Sequence, residues 1–263
     1  MNTFSRIAIA IVVIAFGASA TAQESDADAQ AKALANANNP LANMVAFNIQ
    51  NYYYAKLYGT DETANTAWLR YAQPFGKWLM RASLPIQTVP TGAGQDPVSG
   101  LGDFNVFFAY LLSDPSSPKQ FGVGPLVAAP TATNDAIGAD VWQAGAAAVY
   151  FNAASPVVQW GGLLTYQTDF AGDGDNTSLT VLQPFLMIQL GKGTYLRSAP
   201  LWIFDIENDT YNVPLGFGIG KVVKKDRTVF NMFIEPQFTI LHKGIGQPEF
   251  QLFAALNMQF LPK

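Results

Sequence analysis

The chain has 263 residues, is 49% hydrophobic and 13% aromatic, holds only 13% charged residues and has a formal net charge of -4. It contains no cysteine, which excludes a disulfide framework, thiolate metal sites, thiol catalysis and an acylated N-terminal cysteine. The mildly acidic balance, without basic clusters, argues against nucleic acid as a partner.

The N-terminus reads as a secretory signal. Arg6 supplies the positive charge, Ile7 to Gly17 is an uninterrupted apolar run, and Ala18-Ser19-Ala20 and Ala20-Thr21-Ala22 are small-residue cleavage sites. Cleavage after Ala22 makes residues 1–22 the signal peptide. Residues 23–40 follow as a polar arm rich in Ala, Asn, Gln and Asp, a short helix or a disordered stretch ended by Pro40. The remainder, 41–263, reads as one domain. No later stretch reaches about 18 apolar residues without a polar break, so no membrane helix is expected.

From residue 44 onward the chain alternates apolar and polar residues in stretches bounded by Gly, Pro, Asn or Asp. Twelve strands are predicted, at 44–57, 65–73, 78–89, 102–113, 120–131, 141–152, 157–170, 177–190, 194–205, 211–223, 228–241 and 249–260. Parity is clean in several. In the last, Phe250, Leu252, Ala254, Leu256, Met258 and Phe260 oppose Glu249, Gln251, Asn257 and Gln259. In 228–241, Phe230, Met232, Ile234, Phe238 and Ile240 oppose Asn231, Glu235, Gln237 and Thr239. A strand sends successive side chains to opposite faces, so one flank is oily and the other polar. A dozen such strands behind a secretory signal predict an all-β, transmembrane, antiparallel up-and-down β-barrel of an outer membrane.

The connections agree with this. With the first strand starting at the periplasmic side, the outward links carry Asp61, Glu62, Asp96, Asp135, Asp140, Asp173, Asp175, Glu207 and Asp209. The periplasmic links carry Lys77, Lys119, Lys192, Lys224, Lys225 and Arg227 against Asp114 and Asp226, and Lys243 is the exception among the outward links. The longest link, 90–100, is outward, as barrels with short inner turns and longer outer loops require. The prolines Pro85, Pro125, Pro184, Pro200, Pro214 and Pro236 fall inside predicted strands, where the missing N–H breaks the ladder. Bulges at a common height, kinking the wall, are the expected accommodation, with strands that are split or differently bounded as the alternative.

A set of short motifs in fixed order carries a family likeness: Leu41-Ala42-Asn43, Phe47-Asn48-Ile49-Gln50-Asn51, Gln73-Pro74, Gly100-Leu101-Gly102-Asp103, Gly122-Val123-Gly124-Pro125, Pro130-Thr131-Ala132-Thr133, Phe170-Ala171-Gly172-Asp173, Leu182-Gln183-Pro184-Phe185, Val213-Pro214-Leu215-Gly216 and Leu261-Pro262-Lys263. On them the chain resembles the bacterial outer-membrane barrel proteins grouped as "MetA-pathway of phenol degradation", often labelled transporter and sometimes mislabelled neuromedin U. The resemblance implies that the strand prolines belong to the family pattern. It also implies passage of small molecules, hydrophobic or aromatic ones among them. It does not reach 23–39 and carries over no catalytic residue.

Chemistry-bearing residues are few. His242, the single histidine, sits at a strand end with no serine close in sequence, so a Ser-His-Asp hydrolase is disfavoured and no enzyme activity is expected. Gly172-Asp173-Gly174-Asp175-Asn176 opens like a calcium loop, but the EF-hand spacing then fails. Asp173 and Asp175 remain weak metal candidates in an acidic rim facing lipopolysaccharide. The better candidates are polar groups of inward parity: Arg70, Arg81, Arg197, Glu235, Asn231, Gln183 and Gln237. Arg70 and Arg81 flank the turn at 74–77 and are expected opposite one another, in a tier with Arg197 and with Glu235 above. That tier is either a selectivity element or a structural salt network with Glu235. The tryptophans and Tyr52-Tyr53-Tyr54 are expected as interface anchors.

The reading is a barrel that passes or binds small molecules and needs no cofactor. Its partners are outer-membrane lipid and lipopolysaccharide, the barrel-assembly machinery during biogenesis, through the aromatic ending at Phe260, and a small-molecule solute. The rivals are a structural or surface-interaction barrel with a plugged lumen, an outer-membrane hydrolase, and a soluble barrel with inverted faces. A barrel of this width should hold water, a loop or the N-terminal arm in its lumen.

Overall fold

The computed structural model describes residues 36–92, 94–114 and 117–261. The signal peptide with its cleavage site, and most of the arm, lie outside them. Fifteen strands form the wall: β1 Val45–Leu57, β2 Ala64–Phe75, β3 Trp78–Val89, β4 Val98–Leu101, β5 Phe104–Leu111, β6 Lys119–Ala129, β7 Val141–Asn152, β8 Val158–Gly172, β9 Ser178–Gly191, β10 Thr194–Ser198, β11 Trp202–Asp205, β12 Thr210–Gly216, β13 Gly218–Lys225, β14 Thr228–Lys243 and β15 Pro248–Phe260. β4 with β5, β10 with β11 and β12 with β13 are each one interrupted strand, which leaves twelve. Neighbours pair antiparallel around the ring, and β1 closes on β15 from Val45↔Phe260 to Leu57↔Pro248. Among the described residues the fold is a closed twelve-strand antiparallel barrel with no free sheet edge.

Each interruption faces a proline. β3 pairs with β5 up to Ser83 and with β4 from Ile86. Pro85 lies between, and only the bond from Gly102 N to the Pro85 carbonyl, 2.9 Å, survives there. Extending the β9–β10 register from Ser198↔Leu186 brings Pro200 opposite Pro184, where neither side has an N–H to give. Phe217, between β12 and β13, donates to the Pro236 carbonyl at 3.1 Å. A bulge lies between Val213 and Pro214, and the Trp202 indole donates to the Pro214 carbonyl at 3.0 Å. Of the two expected accommodations, bulges at a common height and split strands, the bulge occurs beside Pro214, whereas Pro85, Pro184, Pro200 and Pro236 lie at gaps where a strand is split.

The outer face is apolar. Ile49, Leu164, Leu186, Leu196, Ile219 and Met232 all point outward and are exposed. Aromatic pairs ring the terminal end of the wall, where β1 begins and β15 finishes, with Trp78 against Tyr110 at 5.1 Å between ring centroids and Tyr150 against Trp160 at 5.4 Å. Trp142 and Phe170 are exposed near the other end. An apolar band between aromatic girdles is the surface a barrel presents to a bilayer. Three expected anchors, Tyr52, Tyr54 and Trp68, are not part of it. Tyr52 is 1% exposed and Trp68 packs against the Tyr52, Phe233 and Phe253 cluster inside the barrel. In the run Tyr52-Tyr53-Tyr54 only Tyr53 faces out, because parity alternates.

Candidate functional site

The lumen is filled in tiers. At the terminal end the inner face is a hydrophobic core, with Phe107, Leu111, Leu126, Val149, Phe151 and Met187 buried together. A polar inner flank along the whole wall is therefore not what the barrel has. The cause is visible in Phe104–Leu111, where Phe107, Ala109 and Leu111 make the second face apolar too. Ala37 and Leu41 belong to the same core, so the last residues of the arm plug this end. The plug is held by hydrogen bonds. Asn231 Nδ2 donates to the Ala37 carbonyl at 3.1 Å and to Asn38 Oδ1 at 2.9 Å. Gln259 Nε2 donates to the same Ala37 carbonyl at 3.1 Å. Asn39 Nδ2 donates to Gln120 Oε1 at 2.8 Å. Tyr195 Oη donates to Asn231 Oδ1 at 2.6 Å, which leaves the Asn231 amide N–H groups turned to the plug.

Beyond the plug, a cavity of about 150 Å³ is lined by Arg70, Arg81, Arg197, Gln183 and Asn231 among others. Glu235 and Gln237, each 0% exposed, stand behind its lining, Glu235 bonded to Arg197 and Ala199 and Gln237 bonded to Glu235. All seven inward-parity candidates therefore sit in the barrel interior. Arg197 is paired: its Nε lies 2.6 Å from Glu235 Oε2, and its guanidinium carbon lies 3.3 Å from the centroid of the Phe233 ring. Glu235 Oε1 also accepts from Ala199 N and from Gln237 Nε2, both at 2.9 Å, and Gln251 Nε2 donates to Gln237 Oε1.

This network also mends the proline gap. Ala199 lies in the break between β10 and β11. Its N–H goes to Glu235, and its carbonyl accepts from Gln183 Nε2 at 3.0 Å. Glu235 reaches it from β14 across β12 and β13, because Gly216 and Gly218 lie in the path. A Cβ on Gly216 would stand 2.1 Å from Glu235 Oε1, and one on Gly218 would stand 2.7 Å from Glu235 Cβ. Gly220 likewise makes room for the Tyr195 ring, 2.2 Å from where its Cβ would be.

Arg70 and Arg81 are not directly opposite. Arg70 faces Ser83 and Arg81 faces Ala72, so the two are diagonal neighbours on one inner face. Each lies against an aromatic face. The Arg70 guanidinium carbon is 4.6 Å from the Trp68 ring centroid, and that of Arg81 is 4.4 Å from the Phe107 centroid. Arg70 also donates to Gln50 Oε1 at 2.5 Å. Neither forms an ion pair among the described residues. Arg70 Nε, Arg81 Nε, Tyr52 Oη and Ser83 Oγ are buried without a hydrogen-bond partner there. Sequence parity did not single out Tyr52 or Ser83; Ser83 had inward parity, while Tyr52 was hidden in a run of three tyrosines.

The remaining candidates stand at the far rim. His242 stacks on Tyr58, with 3.4 Å between ring centroids. Asp173 and Asp175 are exposed loop residues, and no metal-holding group of three or more His, Asp or Glu occurs among the described residues. Asp103 is structural: its carboxylate accepts from the backbone N of Thr131, Ala132 and Ala139, joining two of the sequence motifs into one loop base.

The wall and lumen define a transmembrane-type β-barrel. No family model matches the chain, and no curated protein sequence does. Solved structures do. An outer membrane channel from Pseudomonas putida F1 is similar over 82% of this chain and 96% of its own, with a TM-score of 0.62 and 13% identity. The NanC porin is similar over 83% of this chain and 100% of its own, with a TM-score of 0.54 and 10% identity. At these identities the likeness is one of fold.

Proposed function

We propose that this chain is an outer-membrane barrel through which small solutes pass, or in whose lumen they bind. The observation that carries this reading is an apolar outer wall enclosing a cavity lined by Arg70 and Arg81, two cations with no carboxylate partner among the described residues. A wall that served only as a scaffold would have no use for unpaired buried charge, which costs several kcal/mol where nothing offsets it. The fold is shared with proteins described as an outer membrane channel and as a porin. The ordered motifs support membership in the phenol-degradation barrel family. Lipid and lipopolysaccharide are then its surroundings, and the barrel-assembly machinery its partner in biogenesis. No enzymatic step is part of the reading.

The plug at Ala37 to Leu41 favours a second state, in which the lumen is closed until the plug moves. Planar-bilayer recording tests both states. The full-length protein should conduct weakly or in bursts, and a protein shortened to begin at Ala42 should conduct steadily. Silence from both proteins, each with the heat-dependent gel shift of a folded barrel, would refute passage.

A further inference from the structure

Resting on the reading of the lumen as a solute compartment, we infer that Arg70 and Arg81 form a binding site for one small monocarboxylate. The site is built from two guanidinium groups that line the cavity and form no ion pair among the described residues, each with its Nε unbonded there. A guanidinium only donates, and an ionised carboxylate only accepts. The two guanidinium groups stand on one inner face as diagonal neighbours, close enough to repel each other unless an anion lies between them. Glu235, the carboxylate nearest in role, is already engaged by Arg197, Ala199 and Gln237.

The rings beside the arginines hold the planes of the forks. Trp68 lies under Arg70 and Phe107 under Arg81. A guanidinium fixed in plane presents parallel N–H bonds to a carboxylate, which a lysine ammonium cannot do. Size sets the upper bound. A cavity of about 150 Å³ is of the order that takes one benzene-sized ring. The ligand class is therefore an acid from acetate up to a one-ring acid.

The test is calorimetric titration of the folded full-length protein, in uncharged detergent at low salt, with benzoate, the uncharged isostere benzamide, and inorganic phosphate. Benzoate should bind one per barrel and benzamide should not. Arg81→Gln and Arg70→Gln should each weaken benzoate about tenfold or more, the scale of losing one charge-assisted fork. Arg81→Lys should recover only part of that. The salt dependence of the wild-type protein covers the case of an arginine variant that does not fold: benzoate affinity should fall as chloride, a competing anion, is raised, and an unchanged affinity would overturn the site. Equal binding of benzamide, phosphate preferred over benzoate, unchanged affinity in the arginine variants, or no saturable benzoate binding would each overturn the site. Failure of the passage reading looks different: benzoate binding would persist while bilayers recorded no conductance from either the full-length or the shortened protein.

Discussion

Arg197 and Glu235 meet across an intervening strand, Nε to Oε2 at 2.6 Å, with side-chain exposures of 6% and 0%. One comes from β10 and the other from β14, and they touch because Gly216 and Gly218 clear the path between them. Removing one charge leaves the other buried and unpaired. Glu235→Gln should therefore lower the stability of the folded barrel by about 3–5 kcal/mol, read as a fall in the urea midpoint of refolding into lipid. Replacing both partners by apolar residues, Arg197→Met with Glu235→Leu, should recover much of that loss. Wild-type stability in Glu235→Gln would refute the pair's structural role.

The glycine beneath Tyr195 makes a second test. A side chain at Gly220 would stand where the Tyr195 ring now lies, and Tyr195 orients the Asn231 amide that holds the plug. Gly220→Val should cost about 1–3 kcal/mol by overpacking. In the Tyr195→Ala background the same change should cost far less. A double-mutant cycle with no coupling between the two positions would show that the ring and the glycine do not share this space.

Much of the wall was legible because a closed barrel in lipid demands period-two alternation in nearly every strand. The predicted 78–89 and 141–152 coincide with β3 and β7, and most other bounds fall within two or three residues. The inner face was less legible. Parity told Arg81, Gln183 and Glu235 from Leu84, Leu186 and Ile234, but it could not tell that the lumen is packed with Phe107, Val149 and Phe151 at one end. In those strands both flanks are apolar, and an apolar residue facing lipid looks the same in sequence as one facing a core. The signal available was the unbroken apolar run Val106 to Leu112. The pairing of Arg197 with Glu235, rather than with the other arginines, follows from Gly216 and Gly218 on a third strand, a three-body relation that no single-strand pattern carries.

The plug rests on side chains that can be changed without touching the wall's ladder. Asn231 and Gln259 both donate to the Ala37 carbonyl. Asn231→Leu with Gln259→Leu removes both bonds while keeping bulk. The Asn231 bond to Asn38 goes with them; each bond is worth about 0.5–1.5 kcal/mol net, so the closed-to-open ratio should fall by at least about tenfold, since about 1.4 kcal/mol is a factor of 10. Single-channel records should show longer open times than wild type. Identical gating in the double variant would mean that Leu41 packing, not these bonds, holds the plug.

The assignment of faces can be tested at two adjacent residues of β15. Leu256 lies opposite Ile49 on one side and Met232 on the other, all three outward, whereas its neighbour Asn257 lines the lumen cavity. Leu256→Arg puts a cation into the apolar band and should cost about 2–4 kcal/mol if the site is near the bilayer midplane. Asn257→Leu adds an apolar group inside; it breaks the bond from Gln50 Nε2 to Asn257 Oδ1, 3.2 Å, and should cost only about 1 kcal/mol. Refolding yields into vesicles, measured side by side, should rank wild type, then Asn257→Leu, then Leu256→Arg. The reverse order would require Leu256 to face the lumen, and with it every arginine named above to face lipid, where two unpaired guanidinium groups at mid-height could not be tolerated.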